Sequence, residues 1–159
     1  MNPSSLPIAV IGAGPVGLAA AAHLLARGET PIILEAGDEP AASIRKWSHV
    51  RTFSAWRENI DDAARAMLEA TGWVAPDPNT APTGGEFIER YLQPLADLPD
   101  ISANLRLGAR VTGITRLGFD KMKSGDRDGA PFLVQVANAD GTHEPIQARA
   151  VIDASGTYA

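Results

Sequence analysis

Cysteine is missing altogether from the 159 residues of this chain. That removes disulfides, thiolate nucleophiles and cysteine-ligated metals together. Long apolar runs are missing too: none approaches the ~20 residues needed to span a bilayer, so no membrane partner is expected. Positive charge is scarce, with 14 Lys and Arg against 19 Asp and Glu and a formal net charge of −5. Neutralising phosphates takes a clustered basic face, so nucleic acid is not an expected partner either. The one basic cluster, Lys121, Lys123 and Arg127, is diluted by Asp120, Asp126 and Asp128 and reads as a solvated loop. The opening "MNPSSLP" places no positive charge ahead of the first apolar segment. It does not read as a signal peptide, and a cytoplasmic protein is expected.

Apolar residues are plentiful at 45%, enough to bury a core and to argue against disorder. The length suits one ordinary domain. Residues 7–11, "PIAVI", form the continuous apolar run of a strand covered on both faces. From Val16 to Arg27 the composition is Ala and Leu, and Gly28 stands where a helix-ending glycine belongs. A second apolar run, "TPIILEA" at 30–36, ends in an acid. Strand, glycine loop, helix and strand over 7–36 make a βαβ unit.

Downstream, residues 37–59 read as a long loop holding Trp47, His49, Phe53 and Trp56, and 60–71 as a helix with acids in its first turn. Thr83 and Glu86 have the spacing of a capping box, and the helix they open runs into Pro94. "NLRLGARVTGITRL", "PFLVQVAN" and "IQARAVIDAS" read as strands, with Asp140-Gly141 as a hairpin turn that also holds His143. The expected fold is therefore α/β: a Rossmann-like βαβ sheet with a small antiparallel β-meander inserted at about 110–147.

The loop Gly12-Ala-Gly14-Pro-Val-Gly17 matches G-x-G-x-x-G. Gly12 permits the tight turn out of the strand, Gly14 has no Cβ to block a pyrophosphate, and Gly17 lets the helix pack closely on the sheet. Unpaired N–H groups at the helix start then bind phosphates without a basic side chain. Glu35, 18 residues after Gly17, is placed to accept hydrogen bonds from the hydroxyls of an adenosine ribose and to repel a 2′-phosphate. The competing reading, turn glycines and an exposed glutamate in an unrelated α/β domain, has to explain three agreeing features by chance. The ligand class is an adenine dinucleotide, FAD or NAD.

"IAVIGAGPVGLAAAAHLLARG", "IILEA" and the closing "ARAVIDASGTY" resemble the N-terminal part of two-dinucleotide-binding-domain flavoproteins, in particular flavin-containing monooxygenase-like oxidoreductases. The resemblance implies FAD on the first glycine motif and NAD(P)H as co-substrate. It implies that Gly12, Ala13, Gly14, Pro15, Val16 and Gly17 line the pyrophosphate, with Glu35 and the adjacent Ala36 at the ribose. Val111 would meet the adenine through its backbone, and Ala154, Ser155 and Gly156 would stand for the A-T-G element near the flavin. Family members carry G-G-x-W after the ribose acid; here Trp47 is kept and the glycines are absent. Arg45, Trp47 and His49 are candidate neighbours of the cofactor, while core or interface packing is the alternative for Trp47 and Trp56.

The implied reaction is reduction of the flavin by NADPH and use of O₂ to oxygenate a soft nucleophile in a small-molecule substrate. No catalytic acid–base residue is assigned. Asp61 and Asp62 are read as helix-start acids, not as a metal site. The resemblance covers residues 1–159 as one FAD-binding domain and implies the N-terminal portion of a longer flavoprotein, since no second glycine motif for NADPH follows. Apolar surface left exposed would then favour self-association. Two further readings remain: a non-oxygenating flavoprotein dehydrogenase or disulfide-reductase type, which the lack of cysteine disfavours, and a non-catalytic NAD/FAD-binding or assembly module.

Overall fold

The computed structural model describes residues 5–118 and 129–156. The Lys121–Arg127 cluster and Tyr158 lie outside them. Strand β1 (Ile8–Ile11), helix α1 (Pro15–Ala26) and strand β2 (Pro31–Leu34) follow one another as the apolar runs and the glycines predict. Gly28, at φ +73°, closes α1 with its N–H on the Leu25 carbonyl. The first sheet is parallel throughout, in the order β3-β2-β1-β7, with β3 at Leu105–Arg106 and β7 at Ala150–Asp153. The second is an antiparallel meander of β4 (Ala109–Arg116), β5 (Phe132–Asn138) and β6 (His143–Ala148). This is the Rossmann-like α/β fold with an inserted meander that the sequence predicts.

Alternation along the parallel strands divides the core in two. Val10 and Ile33 point into a large cluster with α1 and the later helices, whereas Ala9 and Leu34 face Val134, Val136 and Ala148 of the meander. A strand covered on both faces must be apolar at every position, which is why "IAVI" shows no alternation.

Between β2 and β3 the chain makes short helices: α2 (Ala42–Arg45), α3 (Trp56–Asn59), α4 (Asp62–Glu69), α5 (Gly84–Phe87), α6 (Gln93–Ala96) and α7 (Pro99–Ser102). Trp56, Phe87 and Tyr91 form its aromatic centre, with ring centroids 5.9 Å apart for the first pair and 5.6 Å for the second. Trp56 is therefore a core residue. The capping box is present, Thr83 Oγ1 accepting from Glu86 N and Glu86 Oε2 from Thr83 N.

Pro94 does not break this helix. A π-helical turn, Ile88–Leu92, precedes it. Proline has no N–H to give the carbonyl four residues back, which belongs to Arg90, and the Trp73 indole N–H takes that carbonyl at 2.9 Å.

Two expectations need correction. "IQARAVIDAS" is not one strand: β6 ends at Ala148 in the meander, and Arg149 hands the chain over to β7 in the parallel sheet. The Arg149 N–H bonds to the Pro7 carbonyl and its guanidinium pairs with Glu29, so the crossing point is tied to the start of β1 and the end of α1. His143 belongs not to the turn but to β6, opposite Ala137.

Candidate dinucleotide site

The three glycines of the loop serve different ends. Gly12 sits at φ +96°, and a Cβ there would meet the Ala154 carbonyl oxygen at 2.7 Å. The end of β7 thus lies directly against the loop, with the Ala154 N–H on the Ile11 carbonyl. A Cβ on Gly17 would come within 1.9 Å of the Gly12 carbonyl oxygen, so only glycine lets α1 rise this close to the turn. Around Gly14 a Cβ would meet nothing within 4 Å. Gly12 and Gly17 are demanded by the chain itself; Gly14 is not, and the space beside it is open.

α1 starts beside that space. Pro15 has no N–H to leave unpaired, and the Leu18 N–H returns to the Gly14 carbonyl at 2.9 Å. The N–H groups of Gly14, Val16 and Gly17 donate to no backbone carbonyl among the described residues. Val16 itself is 67% exposed. Unpaired donors at the positive end of a helix dipole suit an anion.

Glu35 follows β2 directly and reaches back to the loop. Its Oε2 accepts the Ala13 N–H at 2.7 Å and its Oε1 the Gly37 N–H at 2.8 Å. A carboxylate offers about four acceptor positions, so each oxygen keeps capacity for a hydroxyl. Ala36 beside it is exposed. The residues present fit an adenine dinucleotide: an open, donor-lined loop for the pyrophosphate and an oriented carboxylate for the ribose.

Ala13 is held from its other side as well, since its carbonyl accepts the Ala41 N–H at 3.0 Å. Ala41 is 1% exposed and sits at φ +56°, the only non-glycine among the described residues with positive φ. For alanine that conformation costs about 1 kcal/mol. No sequence signal marks Ala41; an alanine at the start of a helical turn gives none.

At the far end of the loop, Asp153 accepts from both the N–H and the hydroxyl of Ser155, at 3.1 and 2.7 Å. The Ser155 hydroxyl and N–H hold its carboxyl below the ordinary aspartate value. Ala154 and Ser155 therefore adjoin Gly12, whereas Gly156 continues from them at φ +84°. Val111 lies on β4 at a register shift and packs in the core between sheet and meander. The structure does not bring it against the glycine loop. Trp47 is half-exposed, its ring lying over Gly84, where a Cβ would meet it at 2.9 Å. Gly84 and Gly85 bond to the Val50 and Ser48 carbonyls and so fix the loop that carries Trp47 and the exposed His49.

A cleft of about 460 Å³ opens beside the start of α1, lined by Pro15, Val16, Asn59, Asp61 and Tyr91 among others. Asp61 caps α4, accepting from Ala63 N and Ala64 N at 2.9 and 3.0 Å, and it pairs with His23 Nε2 at 2.9 Å. Burial pushes its carboxyl up, but the Ala64 N–H, His23 and the Ala63 N–H together outweigh this and leave it below the ordinary value. A carboxyl with a depressed folded pKa contributes stability above its unfolded pKa and loses it as pH falls through the folded one. Melting temperature should therefore fall on acidification from about pH 5 to about pH 2, and Asp61→Asn should make that slope shallower. Parallel slopes for the two proteins would reject this role.

Among the described residues no group of three His, Asp or Glu could hold a metal, and no helix is long and apolar enough to cross a membrane.

Sheet order, inserted meander and glycine loop define the class: a Rossmann-like fold of the kind that binds FAD or NAD(P). Residues 7–84, just under half of the chain, match the family model DAO, FAD dependent oxidoreductase. No curated protein sequence matches. Among solved structures, the bacillithiol disulfide reductase Bdr (YpdA) from Bacillus cereus is similar, with 22% identity and a TM-score of 0.70 over 95% of this chain and 40% of that one. OTEMO in complex with FAD and NADP is similar at 21% identity and TM-score 0.68, over 96% of this chain and 26% of that one. Oxidized steroid monooxygenase bound to NADP gives 22% identity and TM-score 0.70, over 95% and 26%. At these identities the likeness is one of fold. The chain spans well under half the length of each of these proteins.

Proposed function

We propose that this chain is the FAD-binding portion of an FAD-dependent oxidoreductase, monooxygenase-like, working with NAD(P)H and O₂ on a small-molecule substrate. The observation that carries the reading is the open side of Gly14, faced by unpaired N–H groups and by a carboxylate already oriented on the Ala13 N–H. Bound FAD would supply the redox chemistry, taking hydride equivalents from NAD(P)H and passing them to O₂.

The chain's own residues bind and orient. The N–H groups of Gly14, Val16 and Gly17 would hold the pyrophosphate, Glu35 the ribose hydroxyls, and Ala154 and Ser155 the ring-bearing end of the cofactor. Val111 would contribute backbone to the adenine end, and Trp47 would flank the site from the 37–59 segment. The charge of Glu35 disfavours a 2′-phosphate, which keeps NADPH from this loop while admitting FAD or NAD, and leaves NADPH to another site. A cytoplasmic location belongs to the same reading, as does self-association through exposed side chains such as Phe53 and Val50.

One observation favours a second reading. The similarity to a disulfide reductase fold admits a non-oxygenating flavoprotein, although the sequence offers no thiol for cysteine-based reduction.

The test is titration of the purified chain with FAD, followed by visible absorption and flavin fluorescence, with NAD as the control. A bound-flavin spectrum with saturable quenching is expected. Saturable binding of NAD with none of FAD would move the reading to a NAD-dependent dehydrogenase or sensor module.

A further inference from the structure

We infer that Ala41 is a positioning residue for pyrophosphate binding, acting through the peptide between Ala13 and Gly14; this rests on the FAD-site reading above. The carbonyl of Ala13 and the N–H of Gly14 belong to one trans peptide plane and point in opposite directions. The Ala41 N–H holds that carbonyl at 3.0 Å, and Ala41 itself is buried, so the inward direction is fixed. The Gly14 N–H consequently points away from Ala41. It donates to no backbone carbonyl among the described residues, at a position where a Cβ would meet nothing within 4 Å.

Glu35 fixes the preceding peptide in the same way, through the Ala13 N–H. Ala13 is thus clamped on both sides, and neither clamp is a residue of the glycine motif. Residue 41 keeps its N–H on this carbonyl while taking φ +56°, which turns the chain from the segment after β2 into α2. A left-handed residue that is not glycine persists where its surroundings over-determine it, and such positions gather at ligand sites. Here the conformation aims one anion donor.

The probe pair is ADP, which carries two linked phosphates, and adenosine, which carries none, titrated by amide NMR so that millimolar affinities are read. In the wild-type chain the Gly14 amide resonance should move with ADP and stay in place with adenosine. Ala41→Gly, which keeps the left-handed conformation open, should bind ADP within about threefold of wild type. Ala41→Val cannot hold that conformation, because a β-branched residue at positive φ is strongly disfavoured. It should lose at least about tenfold in ADP affinity while adenosine affinity stays within about twofold.

Equal losses for both ligands, or no loss for ADP, would overturn the proposal and leave the FAD-site reading standing. So would a Gly14 amide that responds to adenosine as it does to ADP, a result independent of whether Ala41→Val folds. A folded wild-type chain that binds neither ADP nor FAD would overturn both.

Discussion

Gly17→Ala should destabilise the chain by about 3 kcal/mol, whereas Gly14→Ala should cost less than about 1 kcal/mol and instead weaken FAD binding at least tenfold. The two residues sit three positions apart in one motif, and the difference follows from what a methyl group meets. On Gly17 it lands 1.9 Å from the Gly12 carbonyl oxygen and 2.9 Å from its carbon. Both are backbone atoms on the tight side of the turn, so no rotamer change relieves the clash. α1 has to lift off the sheet, and with it Leu18, Ala21 and Ala22, which are fully buried against β1 and β2. Alanine's better helix propensity returns at most about 1 kcal/mol of this.

On Gly14 the methyl meets nothing, and the backbone there, at φ −81° and ψ −172°, is extended and open to any residue. Alanine is only a poorer helix cap than glycine. The open space, however, is where a pyrophosphate has to approach the Gly14 and Val16 N–H groups. Thermal melts without ligand and flavin-fluorescence titrations with it separate the two effects. Gly17→Ala should melt about 6–12 °C lower than wild type. A Gly14→Ala protein that melts well below wild type and still binds FAD normally would reverse the assignment.

The βαβ unit was legible because its signals are local. A strand with no alternation, three glycines at fixed spacing and a carboxylate after the next strand can each be read from a few neighbouring residues. The capping box of Thr83 and Glu86 belongs to the same class. What escaped is set by contacts between distant segments. Nothing within "IQARAVIDAS" announces that the strand changes sheets at Arg149; the partners that fix the crossing are Pro7 and Glu29 at the other end of the chain.

Pro94 suggests a kink from sequence alone, and the π turn that accommodates it draws on an indole 17 residues upstream of the freed carbonyl at Arg90. Trp47 and Trp56 look alike in composition, yet one packs fully against Phe87 while the other lies half-open over Gly84. The strongest omission was Ala41. Its importance lies in a backbone angle, and alanine does not advertise one.

Glu35→Gln should abolish discrimination between ADP and 2′-deoxy-ADP, and it should cost the unliganded chain about 1–3 kcal/mol. Both effects come from the same two oxygens. In the free chain they accept the Ala13 and Gly37 N–H groups at 2.7 and 2.8 Å. A glutamine side chain offers one oxygen and one NH₂, so one of these N–H donors would face another donor and go unpaired. The stability loss measures that half of the role.

The ligand half needs a comparison in which the stability loss cancels. If the carboxylate accepts a ribose hydroxyl, wild type should prefer ADP over 2′-deoxy-ADP by about tenfold, the worth of one charge-assisted hydrogen bond. The glutamine variant should bind both weakly and alike. The same substitution removes the negative charge that opposes a 2′-phosphate, so the affinity for NADP relative to NAD should rise as the preference for ADP disappears. Calorimetric titration of the four nucleotides against both proteins decides the matter. If the variant keeps the wild-type preference for the 2′-hydroxyl, Glu35 only organises the loop, and the ribose must be held elsewhere.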